Sequence, residues 1–326
     1  MASPNLTEII TTTLYSRNKQ LADNVSNGNA LLARLKARGN VKSVSGGRQI
    51  VEELEYAENS TFLYYSGYEV LDISPSDVIT SAVFDWKQAA VNVSASGLEV
   101  EVQNTGPEAV IPLLEKRISN ALKTMTNNIS TGVYSDGTGT SSKQIGGLQL
   151  IVADAGTGTV GGIDSGTYTF WQNQTSGDVS FTGANPDPSL AADRATLRTE
   201  MNAMYLETKR GMDTVDFIAA DTAMYSTYWE SLTEIQRITS SDSATGGFKS
   251  LKYVDADVFY DGDSGIAANH MYFINTDYLY LRPHTRRNMV PLDRKTALNQ
   301  DATVVPIVWA GNMTCSNRSL QGVIYT

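Results

Sequence analysis

Gly262-Asp263-Ser264-Gly265 is the stretch of this sequence that looks most able to do chemistry, because it places a serine as a protease nucleophile is placed. Such a serine needs a histidine to take its proton and a carboxylate to orient that histidine. In proteases carrying this stretch both partners come earlier in the chain. Here the only histidines, His270 and His284, come later. A polar β-turn over Asp261 to Gly265 is the better reading, and no Gly-x-Ser-x-Gly elbow occurs. Gly156-Thr157-Gly158-Thr159-Val160-Gly161 spells a dinucleotide fingerprint. That fingerprint works only when a helix N-terminus meets the pyrophosphate, and Gly162-Ile163-Asp164-Ser165-Gly166 does not continue as a helix. The spacing therefore predicts a loop. Asp255, Asp257, Asp261 and Asp263 hint at calcium, but an EF-hand loop counted from Asp257 has Ala268 where its glutamate belongs. Two histidines and one cysteine cannot complete a four-ligand zinc site without carboxylates. The expectation is no catalytic residue, no cofactor and no metal.

What remains is charge. Arg282, Arg286, Arg287, Arg294 and Lys295 form a cluster offset only by Asp293. Two readings weigh about evenly: a solvated loop, or arginine clamps on acidic neighbours. Residues 1–48 carry seven basic groups (Arg17, Lys19, Arg34, Lys36, Arg38, Lys42 and Arg48) against Glu8 and Asp23, a net +5 on a chain of −10. A basic leader on an acidic body suggests an arm that meets acidic surfaces, either another copy or nucleic acid. A solvated helical face around 28–38 explains half of it. The acidic body argues against tight wrapping of nucleic acid.

Composition narrows the class. With 41% hydrophobic residues in 326, the chain can bury a core, and its length suggests two lobes. Cys315 is the single cysteine, so no intrachain disulfide forms and a reducing cytosol suits it. In an apolar strand it reads as a packed small residue rather than a nucleophile. No run of about 18 apolar residues predicts a membrane span, and Met1-Ala2-Ser3-Pro4 does not open a signal peptide.

The elements that would position these residues read as structure. Ile111, Leu114, Ile118, Leu122, Met125 and Ile129 recur at spacings of 3, 4, 4, 3 and 4, one stripe of a long helix over 107–131. Lys116, Asn120, Lys123 and Asn127 occupy the opposite face. Such a helix spans ~30 Å against a radius of gyration near ~20 Å, so it is a beam through the body. Thr105 and Glu108 offer a capping box. Pro112 either kinks the first turn or starts the straight helix, and Gly132 can stop it. Before the helix, residues 1–47 read as a partly helical arm ending in Ser45-Gly46-Gly47. Two strands, 48–57 and 61–73, turn at Glu58-Asn59-Ser60; they mix glutamates with Tyr56, Phe62, Tyr64, Tyr65 and Tyr68. Such a hairpin is marginal alone and needs a partner surface. A strand region covers 78–94, and Leu98, Val100 and Val102 alternate with polar residues.

After the helix, turns at 136–142 lead to a short strand at 148–153. A polar stretch to Pro188 follows, predicted to pack over the surface or reach another copy. Ser189 opens a helix with Leu190, Leu197, Met201, Met204 and Tyr205 on one side. Val215 to Ala220 is a strand, and Asp221 caps a third helix. Strands are expected at 251–260, 271–281, 304–309 and 320–325. No βαβ rhythm appears, so the fold class is α+β.

Taken in order, these segments resemble the major capsid proteins of tailed bacteriophages with the HK97-type fold. Leu113-Leu114-Glu115-Lys116-Arg117 through Ser135-Asp136-Gly137-Thr138-Gly139 resembles that family's spine helix and following turn. Ile145-Gly146-Gly147-Leu148 and Gly161-Gly162-Ile163-Asp164, then Phe170-Trp171, are similar to its linker. Met271-Tyr272-Phe273-Ile274-Asn275-Thr276 and Trp309-Ala310-Gly311-Asn312-Met313, with Ser316-Asn317-Arg318 and Gln321-Gly322, are similar to its late strands.

The resemblance implies an N-terminal arm over 1–47, an extended loop over 48–78 lying across a neighbour, and a peripheral domain with the spine helix over 79–135. An axial domain would fill 136–326, with some late strands returning to the peripheral domain. It implies a shell of pentamers and hexamers enclosing double-stranded DNA without sequence-specific contacts. Scaffolding, portal and cementing proteins would be partners, with a virion location and assembly in the host cytoplasm. Arg34, Lys36, Arg38, Tyr64, Tyr65, Arg282, Arg286 and Arg287 are the candidate contacts between subunits. Some members cross-link a loop lysine to an asparagine, but residues 43–86 contain no lysine, so non-covalent contacts or a cementing partner would hold this shell. The rivals are an encapsulin-like compartment enclosing protein cargo, a phage tail protein, and a secreted hydrolase that lacks its base and leader.

Overall fold

The computed structural model describes residues 28–98, 113–177, 179–183, 185–232, 250–261, 265–293, 295–296 and 300–326. Its helices are α1 (Ala30–Ala37), α2 (Leu113–Gly132), α3 (Gly139–Ser142), α4 (Leu148–Ile151), α5 (Ala191–Glu207) and α6 (Thr222–Ser231). The strands are β1 (Ile50–Glu55), β2 (Ile79–Phe84), β3 (Lys87–Ser96), β4 (Thr159–Val160), β5 (Ile163–Asp164), β6 (Gln174–Ser176), β7 (Phe217–Ala220), β8 (Ser250–Tyr253), β9 (Ala256–Tyr260), β10 (His270–Ile274), β11 (Leu279–Pro283), β12 (Val290–Pro291), β13 (Lys295–Thr296), β14 (Ala302–Cys315) and β15 (Gly322–Tyr325).

The mixed sheet β6-β15-β10-β7-β9-β8 divides two cores. Its residues alternate between them, as period-two side chains must. Ile218, Ala220, Met271, Phe273 and Ile324 face α5 and α6 and pack with Leu197, Met201, Met204, Met224 and Tyr228. Phe217, Ala219, Tyr272, Ile274 and Val323 face the other way, into a larger core with Leu31 and Leu35 of α1 and Met125 and Ile129 of α2. A second sheet closes that core. In it the long β14 pairs with β3 on one side and with β11, β12 and β13 on the other. A third, small core joins Ile50, Leu54, Ala82 and Phe84 of β1 and β2 to Val160, Ile163 and Trp171.

The stripe on α2 packs as spaced. Met125 and Ile129 are buried, while Ile118 and Leu122 are partly buried against the same core. The helix runs through Gly132; residues 99–112, which hold the proposed cap, Pro112 and the alternation at 100–102, lie outside the described residues. Asn29 caps α1 by accepting from the Leu32 N–H at 2.9 Å, and its Nδ2 donates to the Ser130 carbonyl at 3.0 Å, so one side chain ends α1 and ties it to α2. Asp221 caps α6 as expected.

Several expectations are corrected. The partner of β1 is 79–84, not 61–73, and the pairing is antiparallel from Ile50↔Phe84 to Glu55↔Ile79. Residues 61–73 have strand-like composition but no apolar surface beside them in one chain, and they form no strand. Leu148–Ile151 is a helical turn, not a strand, because Leu148, Ile151 and Val152 all turn into the large core. The 251–260 and 271–281 strands each break: the first at Val254, whose φ is +52°, and the second at the turn 276–278. Ser189 does not cap α5; it bonds to Asp187, and the helix starts at Ala191. The polar stretch after α4 does pack over the surface, onto the β1–β2 hairpin.

Candidate assembly surface

The β1–β2 hairpin carries a long connection, residues 56–78, which exposes its apolar side chains. Tyr64 is 91% exposed, Tyr68 106% and Ile73 94%, and Phe62, Tyr65, Val70 and Leu71 are exposed with them. So many exposed apolar side chains in one segment make it a candidate interaction surface. The segment holds Glu58, Glu69, Asp72 and Asp77 and neither Lys nor Arg. Local turns shape it. Asn59 Oδ1 accepts from the Thr61 N–H at 2.9 Å, Glu69 Oε2 from the Ser66 N–H at 3.1 Å, and Asp72 Oδ1 from the Ser74 N–H at 2.9 Å. The Ser74 hydrogen bonds hold the Asp72 carboxyl below its usual range.

The base of the hairpin is anchored. Alternate residues Ile50, Glu52 and Leu54 are buried. Glu52 takes both arms of Arg282, at 2.7 Å from Nε and 2.9 Å from Nη2, and also accepts from Thr314 Oγ1 at 2.8 Å. Tyr56 packs on Phe170 with ring centroids 5.2 Å apart. Gly161 and Gly162, with φ of +61° and +77°, form the two-residue turn of the β4–β5 hairpin. Its apex rests on β2: the Gly161 carbonyl accepts from the Val83 N–H at 2.8 Å, and a Cβ on Gly161 would stand 2.8 Å from that of Ala82. The dinucleotide-like glycines therefore serve a hairpin contact and leave no helix for a phosphate.

The candidate contact residues separate into two groups. Arg34, Arg38 and Arg282 meet carboxylates of their own chain. Arg34 and Arg38 both reach Asp216, at 3.2 and 3.1 Å, and Arg38 also reaches Asp277 at 2.6 Å. Asp216 accepts as well from Thr276 N and Oγ1 at 2.7 and 2.8 Å, so α1 is clamped to the ends of the central strands β7 and β10. Arg282 thus forms a bidentate clamp within its own chain, on Glu52, rather than on a neighbouring copy. Lys36, Tyr64, Tyr65, Arg286 and Arg287 lie exposed. Arg294 lies outside the described residues.

The residues that looked catalytic are occupied elsewhere. Both ring nitrogens of His270 face acceptors, Asp154 Oδ1 at 3.1 Å and the Ala268 carbonyl at 2.7 Å. His284 Nδ1 accepts from the Arg286 N–H at 3.1 Å and its ring meets Trp86 edge-on. Residues 262–264 lie outside the described residues. Asp257 pairs with Lys252 at 2.9 Å, and Asp261 accepts from the Tyr134 hydroxyl. Among the described residues no cluster of His, Cys, Asp or Glu could hold a metal ion, and no helix is long and apolar enough to cross a membrane. Cys315 is buried, and burial pushes its thiol up to about 12.

Sequence reasoning missed Arg318. Its fully buried guanidinium donates to the carbonyls of Ile151 at 2.6 Å and Trp171 at 3.1 Å, to Ser165 Oγ at 3.2 Å and to Asn173 Oδ1 at 2.8 Å. It staples the polar stretch to the end of β14. Burial brings its pKa down to about 10. No local signal announces it, because its partners lie more than a hundred residues away.

No family model and no curated protein matches the sequence. Solved structures do. The capsid asymmetric unit of cyanophage A-1(L) aligns over 94% of this chain and 95% of its own, at 16% identity and a TM-score of 0.64. The holo-SrpI encapsulin complex of Synechococcus elongatus aligns over 98% and 95%, at 8% identity and a TM-score of 0.60. The capsid of Myoviridae phage XM1 aligns over 98% and 99%, at 10% identity and a TM-score of 0.56. The likeness runs over nearly the whole length of each chain. This chain therefore has the fold found in bacteriophage capsids and in an encapsulin.

Proposed function

We propose that this chain is the major capsid protein of a tailed bacteriophage. It has the HK97-type fold and assembles with itself, as pentamers and hexamers, into an icosahedral shell around double-stranded DNA. The observation that carries this is the loop 56–78: it exposes apolar side chains at the end of an anchored hairpin, a cost that burial against another copy removes. Obligate interfaces of this kind bury upward of ~2,000 Å², and repeated head-to-tail contacts close into rings when the rotation permits. Within this reading, residues 1–47 are the arm, 48–78 the extended loop, 79–135 the peripheral domain and 136–326 the axial domain. The ten-residue ladder between β3 and β14 supports returning Ala302–Cys315 to the peripheral domain. The role is structural rather than enzymatic. Scaffolding, portal and cementing proteins complete the particle, which forms in the host cytoplasm and is retained in the virion.

An encapsulin-like compartment is the second reading, favoured by the likeness to the SrpI encapsulin over 98% of the chain. Expression of the full chain followed by electron microscopy tests both. Closed shells tens of nanometres across are expected. Particles that co-purify with nuclease-protected DNA when made with their phage partners support the capsid; particles that retain a bound enzyme support the compartment. Tubes, or small oligomers alone, would overturn both.

A further inference from the structure

The fold lays parts of the two basic runs of the sequence side by side. Val41 bridges Leu281 and Val44 bridges His284, both in parallel. The Val44 carbonyl accepts from the Thr285 N–H at 3.0 Å and from Thr285 Oγ1 at 3.1 Å. The turn after β11 is also fixed from within. His284 Nδ1 accepts from the Arg286 N–H, and the His284 carbonyl from the Arg287 N–H, each at 3.1 Å. The Arg287 carbonyl accepts from the Ala310 N–H at 2.8 Å. On the other side, Trp86 meets the His284 ring at 5.5 Å and donates Nε1 to the Gly47 carbonyl at 3.0 Å. The backbone that carries Lys42, Arg48, Arg286 and Arg287 is therefore held, while these four residues are exposed.

They are cations that the fold leaves without an acid. Arg34, Arg38 and Arg282 of the same two runs each meet a carboxylate. Among the described residues none of these four makes an ion pair, and Lys42 lies over the Tyr280 ring at 5.1 Å. Residues 39–51 and 278–292 contain no Asp or Glu. Asp85, between β2 and β3, reaches this segment and accepts from Gln49 Nε2 at 2.8 Å, so the four cations outweigh it. Lys42 stands two residues before Val44 and Arg286 two after His284, which spreads them over about 13 Å at ~3.3 Å per residue. A nucleic-acid duplex presents one phosphate charge per ~1.7 Å of its axis, so several phosphates can face a patch of this length. The exposed residues among 42–49 and 285–288 are Lys, Arg, Ser, Thr, Asn, Gln and Gly, with no apolar side chain. A protein partner needs an apolar centre to its interface. A phosphate backbone needs cations and hydrogen-bond donors, and the arginine fork meets a phosphate with two bonds.

We infer that this surface binds the phosphate backbone of nucleic acid without reading its sequence. Arg286 and Arg287 hold phosphates from the turn, and Lys42 and Arg48 from the segment beside it. The acidic body of the chain, net −10, confines the contact to this patch and makes it sensitive to salt. The inference rests on the shell reading for the source of the nucleic acid, which there is the enclosed DNA.

Fluorescence anisotropy of the full chain before assembly, with labelled short duplexes of two unrelated sequences, tests it. Both duplexes are expected to bind alike, with a slope of about −3 for log affinity against log salt, at ~0.9 per phosphate met. Arg286→Gln with Arg287→Gln should weaken binding at least tenfold at low salt and flatten the slope. Lys42→Gln with Arg48→Gln should act in the same direction. Arg198→Gln with Lys209→Gln removes as much charge from exposed positions in and after α5 and should leave affinity within about twofold. Because all six side chains are exposed, the variants should fold, which an unchanged thermal midpoint checks. Polyglutamate and inorganic phosphate should displace the duplex at least tenfold less well than unlabelled duplex; equal displacement by either would overturn the assignment to nucleic acid. Closed shells from a chain that shows no salt-dependent DNA binding, or equal losses in the α5 control, would overturn the patch and leave the shell reading standing. Binding lost in the patch variants of a chain that forms no shells would support the patch and overturn the shell.

Discussion

Arg282 holds Glu52 through two parallel hydrogen bonds, of 2.7 and 2.9 Å, across a separation of 230 residues. The pair joins β11 in the body to β1 in the hairpin that carries the exposed loop. Both side chains are largely buried, so removing one partner strands a charge. Arg282→Met is expected to destabilise the unassembled chain by about 3 kcal/mol, in the range for breaking a buried pair. Adding Glu52→Gln should recover part of that loss. Arg282→Lys should fall between, since an ammonium cannot reproduce the two-pronged geometry. Urea unfolding of these three variants, of Glu52→Gln alone and of the unchanged chain gives the coupling directly.

Among the described residues Arg318 meets no carboxylate, and its value lies in the acceptors it satisfies. Arg318→Leu leaves the Ile151 and Trp171 carbonyls, Ser165 Oγ and Asn173 Oδ1 without this donor. Each buried acceptor left unpaired costs about 1–3 kcal/mol, less whatever water recovers. A loss near ~3 kcal/mol is expected, with a red shift in the emission of Trp171 as the segment around it loosens. An unshifted spectrum and unchanged stability would remove the staple role.

The sequence and the structure part company where information is long-range. The α2 stripe was legible because residues three and four apart must share a face. Asp221 as a cap is equally local. The β1–β2 pairing was not, because it spans a connection longer than twenty residues whose own composition imitates a strand. Residues 148–153 carry apolar side chains that fit a strand or a buried helical turn equally, and only the surrounding core decides. The same holds for the surface: the tyrosines of the loop were visible as candidates, whereas the commitment of Arg34, Arg38 and Arg282 to Asp216, Asp277 and Glu52 depends on folding and left no spacing to read.

Asp193 makes the segment before α5 sensitive to acid. It accepts from Thr182 N and Oγ1 at 2.9 and 2.6 Å and from the Asp187 N–H at 3.0 Å. The Thr182 hydroxyl is the largest cause of a pKa held below the usual carboxylate range. A depressed folded pKa gives stability that is present above the unfolded value, ~3.9, and is lost as pH falls through the folded one. Amide exchange at Thr182 and Asp187 should therefore accelerate from about pH 4 downward, and should already be fast at neutral pH in Asp193→Ala. Protection unchanged in that variant would show that the carboxylate does not hold the segment.

Gly46 and Gly47 lie between the segment that follows α1 and the start of β1. Before them the chain runs parallel to β11, with the Lys42 N–H donating to the Leu281 carbonyl at 3.1 Å and the Val44 N–H to the Pro283 carbonyl at 2.9 Å. After them it enters β1 at Ile50. The turn between these directions needs φ of +147° and +125°, which side-chain-bearing residues rarely adopt. The Gly47 carbonyl also accepts from Trp86 Nε1 at 3.0 Å, which ties the turn to the start of β3. Proline fixes φ near −65°, so Gly46→Pro with Gly47→Pro must redirect the α1 segment relative to the hairpin. In the proposed shell, copies in five-fold and six-fold settings would need this angle to differ, and the prediction is at least tenfold fewer closed shells by electron microscopy. Gly46→Ala with Gly47→Ala should give an intermediate loss, because a Cβ on Gly47 lies 3.2 Å from the Gln49 carbonyl oxygen. Thermal unfolding of the unassembled chains separates a hinge from simple damage: a hinge loses shells while the midpoint moves little, and normal shell yield from the double proline variant would refute it.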